Sequence, residues 1–418
     1  MWERLLELVQ TALFWKYATI PLISGVVGWI TNVIALKMTF YPLDFVGVWK
    51  IGWQGIIPSK AGVMAGKAVD LLTEKLITIE DRFEQIEPER VAEEMEPSLN
   101  RLATQIVNET MEAEAPEVWE NMPVMVRNRL FQRMSNELPE VVEDLMQEIK
   151  NDISVLFDLR AMVVDALESD RNLLNDIFLR VGEKEFQFIE RSGLYFGFLF
   201  GIFQMSFFVF LGYLGWPSGW VLPAAGLFVG WATNVLALRL IFQPLRPTAV
   251  GPFIFQGLFI RRQMEVSEEY ARIVSRRILT SRNIFERMIT GPASDRLATI
   301  IQSHVKGAID AITGMGKPFF QLATGTRQYV DIKNRIAQRF VEELPHSVRH
   351  MFAYAEEALD IENTLKTRMQ GLVPLDFVGF LRPVFQEDEW KLILVGAVLG
   401  FLAGLAQLMF VFADTLVG

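Results

Sequence analysis

Cysteine is absent from the 418 residues, and histidine is nearly so, with copies only at His304, His346 and His350. The lack of cysteine excludes disulfides, thiolate metal sites, cysteine nucleophiles and cysteine-bound iron–sulfur clusters. A basic excess is also missing, because 40 Lys and Arg stand against 50 Asp and Glu, a formal charge of −10. Proteins that bind nucleic acid carry a basic footprint, so this balance indicates that nucleic acid is not a partner.

Recognisable catalytic signatures are missing as well. The sequence contains no HExxH, no nucleophile elbow and no Rossmann fingerprint, and Gly314–Lys317 lacks the spacing of a phosphate loop. His346 and His350 are four residues apart, the minimum for a metal pair on one helix face, but no third ligand is evident. We therefore expect neither an enzyme nor a metal or cofactor site.

Long apolar runs are what the chain has in excess. Hydrophobic residues make up 51% of the sequence and the mean hydropathy is +0.25, whereas a soluble domain is about 45–50% apolar. Four segments have the ~20 apolar residues that a membrane-spanning helix needs: residues 17–40, 193–213, 220–242 and 392–412. These runs predict an all-α integral membrane protein with four transmembrane helices, and the lipid bilayer is its first partner.

The segments between the spans predict which side of the membrane each one occupies. Spans two and three are joined by the hairpin 214–219, so the long segments 41–192 and 243–391 lie on the same side. Lys and Arg are frequent where the long segments meet the spans, whereas the opposite side has only Arg4 and Lys16. By the positive-inside rule, we expect both long segments to lie in the cytosol and both termini to lie outside it.

Two kinds of segment are predicted to lie at the membrane surface. Residues 1–16 are expected to form an interfacial helix, and Glu3 and Glu7 argue against a signal peptide. Aromatic and apolar residues are dense at 46–57 and 252–260, just after spans one and three. Aromatic residues at this depth favour the headgroup belt, either as re-entrant elements or as surface anchors.

The chain is predicted to be a tandem duplication. Residues 28–43 and 230–245 are identical at ten of sixteen positions, at an offset of 202, and further matches follow in the same order. Each repeat contains a span, a cytosolic region and a second span, so the repeats have parallel orientations. Apolar residues recur at helical spacing in both cytosolic regions, which are therefore expected to be helical. Repeat 1 covers residues 17–213, and repeat 2 covers residues 220–418.

The two long segments differ in charge. Residues 41–192 contain 16 basic and 30 acidic side chains, whereas residues 244–391 contain 20 basic and 17 acidic ones. Segments of opposite charge would attract each other within one chain or between subunits. The alternative is that both are ordinary solvated faces.

Polar residues inside the spans are the first candidate site, and they are Thr31, Asn32, Gln204, Thr233, Asn234 and Gln407. Counting from the expected span ends at 1.5 Å per residue puts Asn32 and Gln204 both about 15 Å deep. The second repeat gives the same result, so the four amides are expected at one level. They form either a polar step in a conduit or lipid site, or hydrogen bonds between helices.

Regularly spaced glycines are the second feature, and we call them the glycine ladders: Gly193, Gly197 and Gly201 in span two, and Gly396, Gly400 and Gly404 in span four. Small residues at this spacing allow two helices to approach closely. The third feature is a basic run after span three, at Arg261, Arg262, Arg272, Arg276 and Arg277. Such a run attracts anionic lipid.

The chain resembles the YheB/YjiN-like family of bacterial membrane proteins. The resemblance rests on residues 28–42 and their copy at 230–244, on Gly55–Pro58, and on the segments 188–193 and 381–389. It implies a protein of the bacterial cytoplasmic membrane with helical cytosolic regions. It implies no activity and no catalytic residue.

Two functions remain open from the sequence. The first is a non-enzymatic scaffold, anchored by four spans, which engages lipids, other copies of itself or protein partners through its cytosolic helices. The second is an oligomeric transporter or lipid-handling conduit, which would use the polar Asn and Gln level. The amphipathic stripes and the charge asymmetry favour the first, and the parallel duplication favours the second.

Overall fold

The computed structural model describes residues 12–49, 51–214, 219–314, 317, 321, 325–381 and 389–413. In this part of the chain the fold is all-α, apart from two short antiparallel hairpins. The first half contains α1 (Ala12–Phe40), β1 (Val46–Val48), β2 (Ile51–Trp53), α2 (Ile56–Ser59), α3 (Ala61–Leu71), α4 (Ile79–Phe83), α5 (Pro88–Glu114), α6 (Pro116–Glu120), α7 (Val124–Asn151), α8 (Ile153–Leu156), α9 (Leu159–Ser169), α10 (Arg171–Val181) and α11 (Glu183–Tyr213). The second half contains α12 (Val221–Phe242), β3 (Thr248–Val250), β4 (Phe253–Phe255), α13 (Leu258–Arg261), α14 (Gln263–Arg277), α15 (Ser281–Thr290), α16 (Ser294–Thr313), α17 (Thr326–Ser347), α18 (Phe352–Leu359), α19 (Ile361–Gln370), α20 (Pro374–Leu381) and α21 (Glu389–Phe410).

Four of these helices, α1, α11, α12 and α21, are long and apolar enough to cross a membrane. They confirm the four predicted spans. The largest difference is that α11 begins at Glu183, ten residues before the predicted start at Gly193. Hydropathy detects only the apolar part of a helix, whereas the backbone hydrogen bonds continue through the charged turns that precede it.

The described residues form two compact units, and each unit contains parts of both halves of the chain. We call the first the membrane unit; it comprises the residues up to Ala68, Ala166–Tyr270 and those from Thr367 onward. We call the second the bundle unit; it comprises Val69–Asp165 and Ala271–Lys366. The second segment of the bundle unit begins 202 residues after the first, which is the offset of the sequence repeat.

In the membrane unit, α1 packs mainly along α11, and α12 packs mainly along α21. One apolar cluster joins all four helices, and its buried members are Ile20, Phe208, Leu222, Leu408 and Phe412. The rings of Phe208 and Phe412 meet edge to face with their centroids 5.2 Å apart, which is a favourable aromatic geometry. The two helix pairs are therefore held together at this end by aromatic packing.

In the bundle unit, four long helices pack around a common axis. Helix α5 contacts α7 and α17, and α16 contacts the same two helices. The buried residues of α5 include Val91, Met95, Leu99 and Ile106, which recur at intervals of four and seven residues. This spacing places them on one side of the helix, so α5 is amphipathic and buries that side in the bundle.

Some predictions fall on residues that lie outside the described ranges. The first is the interfacial helix predicted for residues 1–16, of which residues 1–11 lie outside the described ranges. Residues 12–16 belong to α1. The hairpin 214–219 is another, at residues 215–218. The aromatic segments after spans one and three contain the hairpins β1–β2 and β3–β4, each followed by a short helix.

Candidate functional site

Asn32 and Asn234 are buried, and each bonds to the neighbouring membrane helix. The Nδ2 of Asn32 donates a hydrogen bond to the carbonyl oxygen of Ile189 in α11 at 2.6 Å. The Nδ2 of Asn234 donates to the carbonyl oxygen of Leu392 in α21 at 2.8 Å. A side-chain amide buried among membrane helices has no water to bond, so each asparagine donates instead to a carbonyl of the adjacent helix and links the two helices.

The neighbouring threonines bond within their own helices. The hydroxyl of Thr31 donates to the carbonyl oxygen of Gly28 at 3.0 Å, and that of Thr233 donates to the carbonyl oxygen of Val229 at 2.9 Å. Both side chains are buried. A hydroxyl that bonds three or four residues back along its helix is satisfied locally.

Gln204 and Gln407 line one small cavity of about 10 Å³ between the membrane helices. The hydroxyl of Ser24 in α1 donates to Oε1 of Gln204 at 3.1 Å. The Nε2 of Gln407 has no hydrogen-bond partner within the described residues. The cavity has about the volume that one water molecule requires.

The prediction that the Asn and Gln amides share one level is wrong. Asn32 faces Ile189, whereas Gln204 faces Ser24, which lies eight residues earlier on α1. Eight residues correspond to about 12 Å along a helix, so the amides lie at two depths. The depth estimate took Gly193 as the start of the span, but α11 meets Asn32 four residues before that glycine.

The glycine ladders lie along the contacts between the paired membrane helices, at Gly193, Gly197 and Gly201 of α11 and at Gly396, Gly400 and Gly404 of α21. A Cβ atom at Gly193 would overlap the carbonyl oxygen of Gly28 in α1, and one at Gly400 would overlap that of Gly226 in α12. The backbones of the paired helices are thus in direct contact. Only glycine leaves room for this approach.

The arginines of the predicted basic run have different environments. Nη1 of Arg262 lies 2.7 and 2.8 Å from the two carboxylate oxygens of Glu185, which is only 3% exposed. Nε of Arg262 also bonds to Glu265 at 3.0 Å. Burial lowers the pKa of Arg262, but the two carboxylates outweigh this effect and raise it. Arg262 is therefore committed to an ion pair within the membrane unit.

The other four arginines of the run, Arg261, Arg272, Arg276 and Arg277, are exposed. Arg261 belongs to the membrane unit, whereas the other three belong to the bundle unit. Arg276 bonds to Glu362 through its Nε at 3.1 Å. Binding of these side chains to anionic lipid stays a prediction.

Ion pairs within the bundle unit join the two halves of the chain. Among the described residues they include Asp165 with Arg287, Asp152 with Arg296, Glu114 with Arg335 and Glu109 with Arg339, and Nε2 of His304 also lies 2.7 Å from a carboxylate oxygen of Glu148. In every pair the acid comes from the first half and the basic residue from the second. The opposite charges of the two long segments thus attract each other within one chain, and this attraction favours packing of one half on the other.

An apolar cavity of about 170 Å³ lies inside the bundle unit, between α5, α7, α16 and α17. Its lining on α5 runs from Val91 to Met111, a distance of about 30 Å along the helix, so the cavity is long and narrow. No polar atom contributes to its surface. Methionine, which is flexible and adapts to irregular spaces, is frequent in the lining, at Met95, Met111, Met134, Met146, Met288 and Met351.

Polar side chains gather at one end of this cavity, around Asp310. Its carboxylate accepts hydrogen bonds from Lys333 Nζ, from Lys317 Nζ at 2.9 Å and from the hydroxyl of Tyr329 at 3.0 Å. The hydrogen bond from Lys333 is the main cause that lowers the pKa of Asp310 to about 2. Asp310 is therefore ionised at neutral pH, and with the two lysines the cluster has a net charge of about +1.

Sequence reasoning missed both the cavity and the Asp310 cluster. Periodic apolar stripes indicate which helix faces are buried, but they do not reveal whether facing stripes fill the space between them. Gly314–Lys317 suggested only a phosphate loop of wrong spacing, whereas Lys317 is a member of the cluster. Within the described residues, no group of three His, Asp or Glu side chains is arranged to hold a metal ion.

Comparison with known proteins gives partial matches. A UPF0754 membrane protein of Shouchella clausii (strain KSM-K16) is 31% identical over 122 residues, which cover 26% of this chain and 31% of the relative. A UPF0754 membrane protein of Staphylococcus aureus (strain MRSA252) is 25% identical over 84 residues, 19% of this chain and 22% of the relative. No family model and no solved structure matches the chain.

The matched regions span less than a third of the length of these curated relatives. Their names describe membrane proteins, in agreement with the four apolar helices of this chain. The names state no activity. The resemblance to the YheB/YjiN-like family stays a prediction, because neither relative carries that name.

Proposed function

We propose that the protein is a non-enzymatic, membrane-anchored lipid-binding protein that holds an apolar chain inside its bundle unit. The cavity of about 170 Å³ carries this proposal. Empty apolar volume costs about 24 cal/mol per Å³, so this cavity would lower the stability by about 4 kcal/mol if nothing filled it. Water does not fill such a space, because an apolar wall offers no hydrogen-bond partners. An apolar ligand would recover a large part of that free energy.

The membrane unit supports an anchoring role in this proposal. The space beside Gln204 and Gln407 is about 10 Å³, far smaller than the cavity of the bundle unit. Asn32 and Asn234 use their amide groups to bond the neighbouring helices. The chemistry of these residues favours helix association over passage of a solute.

For orientation, we propose a bacterial cytoplasmic membrane with the bundle unit in the cytosol. Close to the spans, Lys and Arg are more numerous in the long segments than on the opposite side, and this difference supports the orientation. Because the chain has no cysteine, a single thiol can report its own side: Glu94→Cys in α5 for the bundle unit, and Tyr213→Cys at the end of α11 for the other side. A membrane-impermeant maleimide added to intact spheroplasts should label only Tyr213→Cys. The reverse pattern would contradict the orientation.

The lipid-binding role is tested by native mass spectrometry of the full chain in mild detergent. The wild-type protein should retain a stoichiometric small amphiphile. Ala103→Phe should displace it, because Ala103 lines the cavity on α5. The matched control is Ala113→Phe, at an exposed position of the same helix. A wild-type protein that carries no amphiphile, or an Ala103→Phe variant that retains as much as the control, would refute the proposal.

A scaffold role is the second candidate, and an exposed apolar patch favours it. Val124, Met125 and Val126 begin α7 and are 70%, 80% and 50% exposed. Contiguous exposed apolar side chains are typical of contact sites with another copy or with a protein partner. Crosslinking of the full chain in cells should then give a defined adduct that Met125→Glu abolishes and Ala113→Glu leaves intact. Equal adducts in both variants would remove the support for this role.

A further inference from the structure

We infer that the Asp310 cluster is a headgroup site, and that the chain held in the cavity belongs to a long-chain fatty acid whose carboxylate binds Lys317 and Lys333. This inference rests on the lipid-binding function proposed above and names the ligand of that same cavity. It follows from where the polar groups lie, from their charge and from the shape of the cavity.

The Asp310 cluster lies at one end of an otherwise apolar cavity. Lys333, Tyr329 and Thr313 are among the lining residues, although no polar atom contributes to the cavity surface. The apolar parts of these side chains therefore face the cavity, and their polar ends extend beyond its end into the cluster. An amphiphile with its chain in the cavity would present its headgroup to these polar ends.

The other ionisable side chain of the lining, His304, does not provide an equivalent site. Its Nε2 lies 2.7 Å from a carboxylate oxygen of Glu148. Glu148 already occupies this ring nitrogen, so the nitrogen is not available to a headgroup. Within the described lining residues, an anion is thus attracted to the Asp310 end alone.

The charge of the cluster matches a monoanion. Lys317 and Lys333 supply two positive charges and Asp310 supplies one negative charge, so one carboxylate would neutralise the excess. An ammonium group has three N–H donors, and each of these lysines uses one on Asp310. Within the described residues, each ammonium group therefore has donors left for a second carboxylate.

The shape of the cavity favours one acyl chain. A volume of about 170 Å³ is distributed along about 30 Å of α5, which leaves a narrow cross-section. A lipid with two acyl chains would need a cavity with about twice that cross-section. A fatty acid combines one chain with one negative charge, and both features fit.

The experiment uses the full chain in mild detergent and two photoreactive sixteen-carbon probes, palmitate and hexadecanol, each with a diazirine in the chain. Crosslinked peptides are mapped by mass spectrometry, and the yield is measured against probe concentration. Lys333→Met removes one cation of the cluster, and Arg327→Met removes an exposed cation of the same helix as a matched control. Size exclusion and thermal unfolding verify that both variants are folded.

Palmitate should label the cavity lining with an affinity about tenfold above that of hexadecanol, because hydrogen bonds between charged groups are strong. Lys333→Met should abolish this preference and leave hexadecanol labelling unchanged, whereas Arg327→Met should behave as wild type. The comparison of the two probes on wild-type protein needs no variant, so it holds even if Lys333→Met fails to fold.

Equal affinity of the two probes, or a preference that survives Lys333→Met, overturns the headgroup site while the proposed function stands. Stronger competition by unlabelled hexadecyl phosphate than by palmitate overturns the assignment to a carboxylate. Absence of both probes from the cavity lining refutes the proposed function together with this inference.

Discussion

The membrane unit and the bundle unit are both helical and both combine the two halves of the chain, yet they pack their interiors differently. In the membrane unit, glycines such as Gly193 and Gly28 bring backbones into direct contact, and two cavities between the helices have volumes of only about 10 and 30 Å³. In the bundle unit, facing stripes of Leu, Ile, Val and Met leave a cavity of about 170 Å³ between the helices. The size of the side chains at the contact decides whether two apolar helix faces meet.

The same contrast separates the buried polar groups. In the membrane unit, Asn32 and Asn234 bond backbone carbonyls of the adjacent helix, and Glu185 is paired with Arg262. In the bundle unit, the ion pairs between the halves lie at partly exposed positions. The membrane unit therefore depends on each internal contact, whereas the bundle unit distributes its polar contacts over its surface.

The largest expected effect is at the glycine contact of the membrane unit. Gly193→Val adds a Cβ that overlaps the carbonyl oxygen of Gly28, so α1 and α11 must separate. Overpacking of a core lowers the free energy of unfolding by about 1–3 kcal/mol. Because the contact here is with backbone, we expect a loss at or above the upper end of that range. Thermal unfolding in detergent measures the loss. Gly212→Val is the matched control on α11, because a Cβ there meets no atom within 4 Å; equal stability of the two variants would contradict close packing.

The next effect concerns the buried ion pair. Arg262→Met leaves Glu185, which is 3% exposed, without its main partner. Removal of one member of a buried pair costs about 3–5 kcal/mol, and the partial exposure of Arg262 reduces this to about 2 kcal/mol. Arg261→Met removes the adjacent exposed cation and should leave the melting temperature nearly unchanged. Equal melting temperatures of the two variants would show that the ion pair of Arg262 with Glu185 does not stabilise the protein.

A smaller effect is expected for the interhelical amides. Asn32→Leu and Asn234→Leu each remove one hydrogen bond between membrane helices, at a cost of about 0.6–2 kcal/mol apiece. Both unfolding temperature and palmitate binding are measured in the double variant. Because these residues lie outside the bundle unit, the unfolding temperature should fall while binding remains. Lost binding in a folded double variant would instead support the conduit that uses these amides.

The smallest effect is a pH dependence in the bundle unit. The pKa of Asp310 falls from 3.8 to about 2 on folding. Its ionised form therefore stabilises the fold above pH 4, and this contribution is lost as the pH falls from 4 towards 2. Stability measured against pH should decline more steeply over that window in the wild type than in Asp310→Asn. Parallel curves would show that the Asp310 cluster contributes nothing to folding.

The sequence predicts the four spans and the helical character of the rest, because hydropathy and periodicity are local signals. It also identified Asn32 and Asn234 as buried groups that need partners. Their partners are the backbone carbonyls of Ile189 and Leu392. Every residue has a backbone carbonyl, so the sequence does not indicate which one is bonded. The amide level was wrong for a related reason: the alignment of α1 with α11 depends on tertiary packing.

Neither the Asp310 cluster nor the cavity could be predicted from the sequence. Asp310, Lys317, Tyr329 and Lys333 are spread over more than twenty residues: Asp310 is on α16, Tyr329 and Lys333 are on α17, and Lys317 lies between the two helices. A cavity is a property of the space between four helices, and it depends on the rotation of each about its axis. Neither quantity is encoded in the spacing of residues along one helix.

The construction of the bundle unit from both halves has a consequence for biosynthesis. The first segment ends at Asp165 and the second at Lys366, so roughly 200 residues are translated in between. At about 5–20 residues per second, the ribosome takes about 10–40 s over that stretch. Until α16 and α17 are synthesised within that stretch, α5 and α7 have uncovered apolar faces and an excess of negative charge. We expect the net negative charge of the first segment to limit self-association of this intermediate until the basic second segment is synthesised.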